Sequence, residues 1–421
     1  MRPFSFVHAA DLHLDSPFRG VTAASPRLRK ALSSSTFRAF DSLIKTTLES
    51  EADFLLLAGD IYDSQDRSLT AQLKLLDGLS KLEAAGIPSF IVHGNHDPLD
   101  SRMSALEWPA RAHFFGSSIK SLTAAGPDGT PLATVSGTSF AGREEPRNLA
   151  ARFTRQATGL FQIGLLHCNT GGHPGHENYA PCTLDDLRVA GMDYWALGHV
   201  HTRSILLEDP WVVYPGNTQG RHIREQGARG CYHVRVDGNG QVKPEFVALD
   251  AVRWSEIEVS IEGMETLDAL ERSILDRIET EAASADGRAL VCRAAISGRG
   301  SLHGELRHHG AADQLLERIR ERFNGDEPFI WVQSIGIGSR PQADLDAHLG
   351  RQDLLAEVLA VSREVRSSPP GRDALFKAAL ADLWNNPGLS KARLERPADE
   401  QIDALLAEAE LLCLDLLGEE S

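Results

Sequence analysis

FLLLAGDIYD, residues 54–63, is the stretch of sequence that decides the fold. Its first five residues are apolar, and Gly59 and Asp60 follow them at once. A short apolar run of this kind is typical of a strand buried on both faces, and the glycine marks the turn that ends it. FSFVHAADLH (4–13) and SFIVHGNHD (89–97) have the same form, so the three segments predict buried parallel strands with polar ends.

Further strands and helices continue this pattern up to about residue 250. Apolar runs predict six strands, and segments with helical patterning separate the first three. The predicted strands are 4–10, 54–58, 89–92, 162–166, 194–197 and 211–214, and the predicted helices are 27–50 and 68–85. Strands that alternate with helices indicate βαβ units, so we expect an α/β sandwich.

A length of 421 residues predicts more than one domain. After Asp250 the pattern changes to strands at 254–261, 289–297 and 329–337, with helices at 266–283 and 311–323. We expect a catalytic domain at 1–250, a small α+β capping domain at 251–340 and a helical C-terminal region at 341–421. Breaks in that last region are predicted at Pro369-Pro370-Gly371 and at Asn386-Pro387-Gly388.

The composition argues against several classes of protein. A hydrophobic content of 42% and a charged content of 24% are those of an ordinary globular chain rather than a disordered one. The apolar run at the start of the sequence is too short for a signal peptide, and no stretch is as long and apolar as a membrane span. We therefore expect a cytoplasmic protein. A net charge of −16 argues against a protein that coats nucleic acid, although bound cations can reverse the sign locally.

The five cysteines are scattered and lack C-x-x-C spacing, so they indicate neither a disulfide framework nor a thiolate zinc site. Any metal must therefore be held by nitrogen and oxygen ligands. Imidazole and carboxylate ligands together suit manganese, iron or zinc.

Five polar clusters follow predicted strands. They are Asp11-Leu12-His13, Gly59-Asp60-Ile61-Tyr62-Asp63, Gly94-Asn95-His96-Asp97, His167, and Gly198-His199-Val200-His201. The carboxyl ends of neighbouring parallel strands meet at one edge of a sheet, so we expect these clusters to form one site. Alternation along an extended chain would place Asp11 and His13 on one side, and likewise His199 and His201. The glycines before Asp60, Asn95 and His199 permit tight turns that direct a ligand into the site.

The clusters predict a centre of two divalent metal ions. The expected ligands are Asp11, His13, Asp60, Asn95, His167, His199 and His201, with Asp60 as the carboxylate that bridges the ions. Two such ions, typically about 3.5–4 Å apart, activate a water, hold a phosphate and stabilise the attacking and leaving oxygens in line.

The motifs D-x-H, G-D-x-x-D, G-N-H-D, a lone His and G-H-x-H resemble those of the calcineurin-like metallophosphoesterases. Within that superfamily, the Tyr214-Pro215-Gly216-Asn217 segment and the following module look like the SbcD-like bacterial DNA repair exonucleases. The resemblance implies a β-sandwich flanked by helices (αββα), followed by an α+β cap and C-terminal helices. It also implies a manganese-dependent DNA exonuclease or phosphodiesterase, in which a hydroxide that bridges the ions attacks a phosphodiester.

The resemblance further implies roles for single residues. Asp11, His13, Asp60 and His201 would bind one ion, and Asp60, Asn95, His167 and His199 the other. His96 would be a catalytic residue rather than a ligand, and would stabilise the transition state or protonate the leaving oxygen. Asp63 would orient His96 as in phosphatase relatives, whereas nucleases of this branch often have a histidine at that position.

The family also implies a partner, a large coiled-coil ATPase that binds helices after the cap. The candidate surface is one apolar stripe formed by Ile402, Leu405, Leu406, Ala409, Leu412, Cys413 and Leu416. The same stripe would also suit packing on its own domain, and a homodimer is open. DNA contacts are expected at Arg143, Arg147, Arg221, Arg224 and Arg229.

Two other functions remain open at this point. A phosphatase or small cyclic-nucleotide phosphodiesterase would use the same two-metal site, and a non-catalytic scaffold would keep the fold as a binding module. The glycine-rich loop with His173, His176 and Glu177 is interpreted as a solvated loop, with substrate contact as the alternative.

Overall fold

The computed structural model describes residues 1–16, 26–63, 67–101, 106–172, 177–325, 327–343, 345–379 and 399–417. The predicted break at Asn386-Pro387-Gly388 lies outside the described residues. Contacts divide the chain into two units. The first unit contains residues 1–257, 276–293 and 318–334, and the second contains 258–275, 294–317 and 335–421.

Two six-stranded sheets form most of the first unit. Their strands are β1 (Phe4–Ala9), β2 (Phe54–Ala58), β3 (Ser89–Val92), β4 (Ala112–Phe114), β5 (Lys120–Ala125), β6 (Pro131–Gly137), β7 (Phe161–His167), β8 (Tyr194–Gly198), β9 (Ser204–Glu208), β10 (Trp211–Tyr214), β11 (Gly230–Val236) and β12 (Val242–Ala248). The first sheet has the order β12-β11-β1-β2-β3-β4 and the second β5-β6-β7-β8-β10-β9. In the first sheet β1 to β4 are parallel, and in the second β6, β7, β8 and β10 are parallel.

The inner faces of the two sheets form the central hydrophobic core. Phe6 of β1 and Phe54 of β2 stack at 5.1 Å between ring centroids, and Tyr194 of β8 meets Phe6 edge-on, also at 5.1 Å. Every residue of β2 is buried, as its uninterrupted apolar run predicts. The parallel strands of both sheets therefore end at an edge that is fixed by close packing.

Helices cover the outer faces. In the first unit they are α1 (Pro26–Ser33), α2 (Ser35–Glu49), α3 (Leu69–Ala84) and α4 (Leu184–Val189). Leu43 of α2 and Leu75 of α3 pack with Leu55 and Leu57 from the outer face of β2. Truncation of one such leucine to alanine would cost about 2–5 kcal/mol. The layers are helix, sheet, sheet and helix, which confirms the predicted fold class.

The predicted elements of residues 1–340 differ from the structure in one divided helix and in several strands and two short helices, α4 and one at His303–Leu306, that were not expected. The single helix expected at 27–50 is divided at Ser34 into α1 and α2. Strands β4 to β6, β9, β11 and β12 were not expected from the apolar runs. The other predicted elements of residues 1–340 begin and end within two residues of the observed ones.

A third sheet follows, with the order β13 (Val252–Ser260), β14 (Ala289–Ser297) and β15 (Ile330–Ile337). The remaining helices are α5 (Leu267–Ser284), α6 (His303–Leu306), α7 (Ala311–Arg322), α8 (Leu345–His348), α9 (Leu354–Ser367), α10 (Pro369–Ala379) and α11 (Asp399–Leu417). Among the described helices, none is long and apolar enough to cross a membrane.

The apolar stripe expected on α11 is divided between two faces. Ile402 is buried, and Cys413 packs beside Leu355 and Leu359 of α9. Leu405, Leu412 and Leu416 are exposed, with 58%, 57% and 69% of their surface accessible. The prediction of one stripe was therefore wrong, because part of it packs within the second unit and part of it does not.

Candidate metal centre

The seven residues predicted as metal ligands converge where β1, β2, β3, β7 and β8 end. Asn95 links two of them, since its Oδ1 lies 3.0 Å from His167 Nε2 and 3.2 Å from His199 Nδ1. The ring of His13 faces that of His201, with 3.2 Å between the two Nε2 atoms. The site is thus assembled from residues almost 200 positions apart in the sequence.

The two carboxylates lie among these histidines. Asp60 Oδ2 is 3.5 Å from His167 Nε2 and 3.8 Å from His13 Nε2. Asp11 accepts a hydrogen bond from the backbone N–H of His199 at 3.1 Å. Both carboxylates are buried, so each lies between imidazole rings rather than in solvent.

Backbone geometry, rather than strand alternation, brings Asp11 and His13 together. Both residues follow the end of β1, and their φ angles are +51° and +43°. Asp60 and His199 also have positive φ, at +49° and +102°. Residues other than glycine adopt this region rarely and at a cost, which the surrounding structure must offset, and such strain is concentrated at functional sites. The prediction that extended alternation places Asp11 beside His13 and His199 beside His201 was therefore wrong in its reason.

Hydrogen bonds between neighbouring loops hold this strained backbone. The N–H of Asp11 donates to the carbonyl of Gly59, and the N–H of His13 donates to that of Asp60, both at 3.0 Å. The loop after β1 is thus paired with the loop after β2, and the two loops act as one element of the site.

Glycines at two positions leave room for the ring of His167. Gly59 has φ of +91°, in agreement with the predicted turn before Asp60, and a Cβ there would lie 2.4 Å from His167 Nδ1. At Gly94 the need is again space, because a Cβ would lie 2.3 Å from Asp60 Oδ1 and 2.8 Å from the ring of His167. Any larger residue at 94 would displace two proposed ligands.

Among the described residues, three groups of side chains have ligand atoms close enough together to hold an ion. One of them joins His13 to Asp63 and His96, and the other two consist of proposed ligands alone. Of these two, the first contains Asp11, His13 and His201, and the second contains Asp11, Asp60 and His167; within each group the ligand atoms lie within 4.8 Å of one another. Asp11 belongs to both groups, whereas Asp60 joins the second and lies close to His13 of the first.

The charges of these side chains fit a cation. Burial and the nearby Asp60 raise the pKa of Asp11 well above its usual value, and burial raises that of Asp60. Burial, with the charge of Arg221, lowers the pKa of His13, and burial lowers that of His167 to about 4. Neutral imidazoles offer lone pairs, and buried carboxylates are stabilised by a bound cation, so the donor set suits divalent metal ions.

His96 lies beside this cluster rather than inside it. Its ring meets that of His13 edge-on at 4.9 Å, and 37% of its side chain is exposed. Its Nδ1–H donates to the backbone carbonyl of Asp63 at 3.0 Å. The carboxylate of Asp63 is farther from His96, at 3.9 Å, and contacts His13 Nδ1 at 3.0 Å instead. Asp63 thus orients His96 through its main chain.

Sequence reasoning missed two buried acids. Glu225 lies 2.8 Å from His201 Nδ1 and is bonded to Arg221. Asp97 accepts hydrogen bonds from the backbone N–H groups of Ile61 and Gly94, at 3.0 and 2.8 Å. The position of Asp97 directly after the Asn-His pair was a usable signal for its role. Glu225 had no comparable signal, because nothing near it in the sequence marks a strand end.

The arginines expected to contact DNA differ in accessibility. Arg143 and Arg224 are exposed, and Arg147 is exposed but ion-paired with Glu145. Arg221 is largely enclosed by Asp63 and Glu225, and Arg229 is buried and donates to the backbone carbonyl of His201.

The loop after His167 also contributes. His173 and His176 lie outside the described residues. The backbone carbonyl of Glu177 accepts a hydrogen bond from His199 Nε2 at 2.8 Å, so this loop orients a proposed ligand.

Family models match two parts of the chain. Residues 4–203 match the calcineurin-like phosphoesterase family, and residues 254–340 match the middle domain of metallophosphoesterase YhaO. The first match contains all seven proposed ligands and His96, whereas Arg221 and Glu225 lie beyond it.

Individual relatives extend this comparison. Metallophosphoesterase YhaO of Bacillus subtilis is 36% identical over 342 residues, which cover 81% of this chain and 83% of that protein. The DNA double-strand break repair protein Mre11 of Aeropyrum pernix is 26% identical, over 64% of this chain and 66% of its own. Mre11 of Methanosarcina mazei is 24% identical, over 57% of this chain and 37% of its own length.

The match to YhaO also agrees with the resemblance of the motifs to the SbcD-like branch of the superfamily. Its identity and coverage, together with the family match that spans the whole cluster of ligand atoms, decide the classification. The chain belongs to the calcineurin-like metallophosphoesterases, which are metal-dependent hydrolases of phosphate esters.

Proposed function

We propose that this protein is a two-metal DNA exonuclease or phosphodiesterase that acts in DNA repair. The observation that carries the proposal is the convergence of the four histidines, Asp11, Asp60 and Asn95 beside a partly exposed His96. Within the part of the chain that the structure describes, this cluster brings candidate metal ligands together with a partly exposed histidine.

The ligands divide between two ions. Asp11, His13, Asp60 and His201 would hold one ion, and Asp60, Asn95, His167 and His199 would hold the other, so that Asp60 would serve both. Manganese is the preferred metal, and iron or zinc would suit the same ligands. Such a metal pair lowers the pKa of a water and offsets the charge that develops on the phosphate.

The protein's own groups supply the remaining chemistry. His96 gives a proton to the oxygen that leaves phosphorus, a role for which a positioned imidazole is suited. The carbonyl of Asp63 binds Nδ1–H of this ring and so leaves Nε2 to act on the substrate. Asn95 precedes His96 in the same loop, and the buried Asp97 stabilises that loop by accepting a hydrogen bond from the backbone N–H of Gly94.

A DNA substrate is supported by the relatives and by the surface. Two of them are named as DNA double-strand break repair proteins, and their matches span more than half of this chain. Arg143 and Arg224 are exposed on the loops of the catalytic unit and suit contacts to phosphate, which need no base specificity.

We also propose a coiled-coil ATPase as partner. Leu405, Ala409, Leu412 and Leu416 are exposed on α11 at the i, i+4, i+7, i+11 spacing that a partner helix recognises. Residues 399–417 contain six acidic residues and no Lys or Arg, so a partner helix with basic flanks would complement them.

The test uses three substrates. Metal-loaded protein is incubated with labelled linear DNA, bis-p-nitrophenyl phosphate and p-nitrophenyl phosphate, in parallel with Asn95→Ala and His96→Ala. Wild-type protein should release nucleotides from DNA. His96→Ala should lower kcat by about 10²–10⁴-fold without changing metal binding, since general acid catalysis contributes that range.

The outcomes separate the alternatives. Turnover of the monoester alone would replace the nuclease with a phosphatase. Absence of hydrolysis with every divalent metal would leave a scaffold. Deletion of residues after Arg340 should spare cleavage and abolish ATPase binding, and retained binding would refute the docking surface on α11.

A further inference from the structure

Two of the proposed histidine ligands share an arrangement that the metal ligands alone do not explain. His13 and His201 direct their Nε2 atoms at each other, 3.2 Å apart. On the opposite side of each ring a carboxylate contacts Nδ1. Glu225 Oε1 accepts a hydrogen bond from Nδ1 of His201 at 2.8 Å. Asp63 Oδ1 lies 3.0 Å from Nδ1 of His13, a close contact that is not aligned as a hydrogen bond.

One arginine joins these two carboxylates. Arg221 donates to Asp63 Oδ1 at 2.6 Å and to Glu225 Oε1 at 3.3 Å. Its own backbone N–H donates to the second oxygen of Glu225 at 2.7 Å. Only 12% of the Arg221 side chain and 5% of the Glu225 side chain are exposed, so water competes weakly for these bonds.

The planar guanidinium suits this position. It presents several N–H donors in a fixed plane and keeps its charge when it is buried, whereas a lysine would offer a single compact charge. The hydroxyl of Ser16 accepts another of its hydrogen bonds, at 3.2 Å. Arg221 also lies 3.4 Å from His201 Nδ1, so it is fixed by four side chains and in turn fixes the two carboxylates relative to each other.

We propose that Asp63, Arg221 and Glu225 form a positioning relay that orients His13 and His201 and sets the affinity for the metal ion these two histidines bind. This inference rests on the proposed two-metal site. It assigns Asp63 to His13, and it gives Arg221 and Glu225 roles that neither family motif contains.

The hydrogen bonds of Glu225 support the same conclusion. Its Oε1 contacts both His201 Nδ1 and the Arg221 guanidinium, and its Oε2 accepts the backbone N–H of Arg221. A carboxylate that accepts the Nδ1–H of an imidazole fixes the tautomer and makes Nε2 a stronger ligand.

The relay predicts an effect on one ion and not on the other. Its carboxylates contact the ring nitrogens of His13 and His201, whereas His167 and His199 donate to the backbone carbonyls of Ala58 and Glu177. Loss of an outer partner of a metal ligand typically lowers metal affinity by about 10–100-fold. Only the ion bound by His13 and His201 should show that loss.

The experiment measures metal binding directly. Metal-free full-length protein is titrated with MnCl₂ by calorimetry, and the electron paramagnetic resonance spectrum is recorded at each ratio. The variants are Glu225→Gln, Asp63→Asn and Arg221→Lys, of which the last keeps the charge and so preserves folding best. Arg253→Lys is the matched control, because Arg253 is similarly enclosed (11% exposed) and bonded to the buried Asp250.

Wild-type protein and Arg253→Lys should bind two ions and show the signal of a coupled manganese pair. Each relay variant should bind one ion with unchanged affinity and the other about 10–100-fold more weakly, with an isolated-manganese signal at limiting metal. Equal weakening of both ions, or wild-type binding in all three variants, would overturn the relay. Wild-type protein that binds fewer than two ions would instead refute the proposed two-metal function.

Discussion

Four histidines converge at the candidate metal centre, and they are held in two different ways. The His13–His201 pair is contacted at Nδ1 by the carboxylates of Asp63 and Glu225. The His167–His199 pair instead donates to main-chain carbonyls, at 2.9 Å to Ala58 and at 2.8 Å to Glu177. The orientation of one histidine pair thus depends on neighbouring side chains, whereas that of the other pair depends on backbone carbonyls.

This difference has a physical consequence. A carbonyl that belongs to the backbone is present whatever residue occupies the position, so the His167–His199 pair needs little from the surrounding sequence. A carboxylate adds a full charge next to the imidazole and strengthens it as a ligand, but a single substitution removes it. We expect the two ions to respond differently to mutation outside the ligand set.

The largest effect should come from the residue that both pairs share. Asp60→Asn keeps the shape of the side chain and removes the charge close to both His13 and His167. Both ions should be lost, and with them several kcal/mol of transition-state stabilisation, so kcat/KM should fall by about 10³-fold or more. Phosphodiester hydrolysis and metal content measure this change.

Asp53→Asn is the control for that variant. Asp53 precedes β2 as Asp60 follows it, and it accepts a hydrogen bond from the backbone of Ser5 at 2.9 Å. Its replacement should leave the metal content at two ions. Retention of one ion by Asp60→Asn would show that Asp60 serves a single ion, and that Asp11, which belongs to both ligand groups, is the shared carboxylate.

The loops after β2 and β3 should both be destabilised when Asp97 is replaced, because its carboxylate binds backbone N–H groups of both loops. Its buried carboxylate binds the N–H groups of Ile61 and Gly94 and contacts His93 at 3.1 Å. Asp97→Ala leaves the two backbone donors unsatisfied, so the free energy of unfolding should fall by about 2–6 kcal/mol, since each buried unsatisfied donor costs about 1–3 kcal/mol. Denaturant titration measures the loss.

The conservative variant distinguishes charge from geometry. Asp97→Asn keeps one acceptor oxygen and should recover part of the lost free energy. Equal stability of Asp97→Ala and the wild type would mean that the loops after β2 and β3 keep their conformation without Asp97. Main-chain support of the site would then not depend on this carboxylate.

The sequence alone could predict much of this centre and only part of its support. The convergence of Asp11, Asp60 and Asn95 was predictable because each follows a short apolar run, and such runs predict buried strands without knowledge of the partner strands. Arg221 and Glu225 were not identifiable as positioning groups. The contact between Arg221 and Asp63 joins residues 158 positions apart, and no periodic pattern records such a pair.

The same limit explains the strands that were missed. Strand β5 has one buried residue and β12 none, and their sequences KSLTAA and VKPEFVA lack a continuous apolar run. Their place in the sheets depends on pairing with β6 and β11, which only the folded chain shows. The division of helix 27–50 at Ser34 likewise depends on tertiary packing, since Leu28 and Leu32 of α1 pack against Trp254.

Metal-linked stability should report the two pairs separately. At a Mn²⁺ concentration 100 times its dissociation constant, each ion should stabilise the wild-type protein by about 2.7 kcal/mol. For Glu225→Gln the increment from the ion at the His13–His201 pair should fall to about 0.4–1.4 kcal/mol, if its affinity drops by about 10–100-fold. Thermal unfolding with and without Mn²⁺ measures both increments. With a chelator present, added Mn²⁺ should stabilise neither Glu225→Gln nor the wild type. If Glu225→Gln keeps both full increments in the absence of chelator, the two histidine pairs do not differ in their dependence on side chains.

The smallest effect is expected at Glu177, and it tests the backbone half of the comparison. Glu177→Ala removes an exposed carboxylate but leaves the carbonyl to which His199 donates. Metal affinity and kcat/KM should stay within about twofold of wild type, because exposed substitutions away from buried networks change free energies by about 0.5 kcal/mol or less. Glu225→Gln, also a change at a glutamate next to a proposed histidine ligand, should by contrast cost one ion about 10–100-fold in affinity. A tenfold loss in Glu177→Ala would mean that the side chain, through its contact with Tyr179, supports His199, and that both pairs then depend on carboxylates.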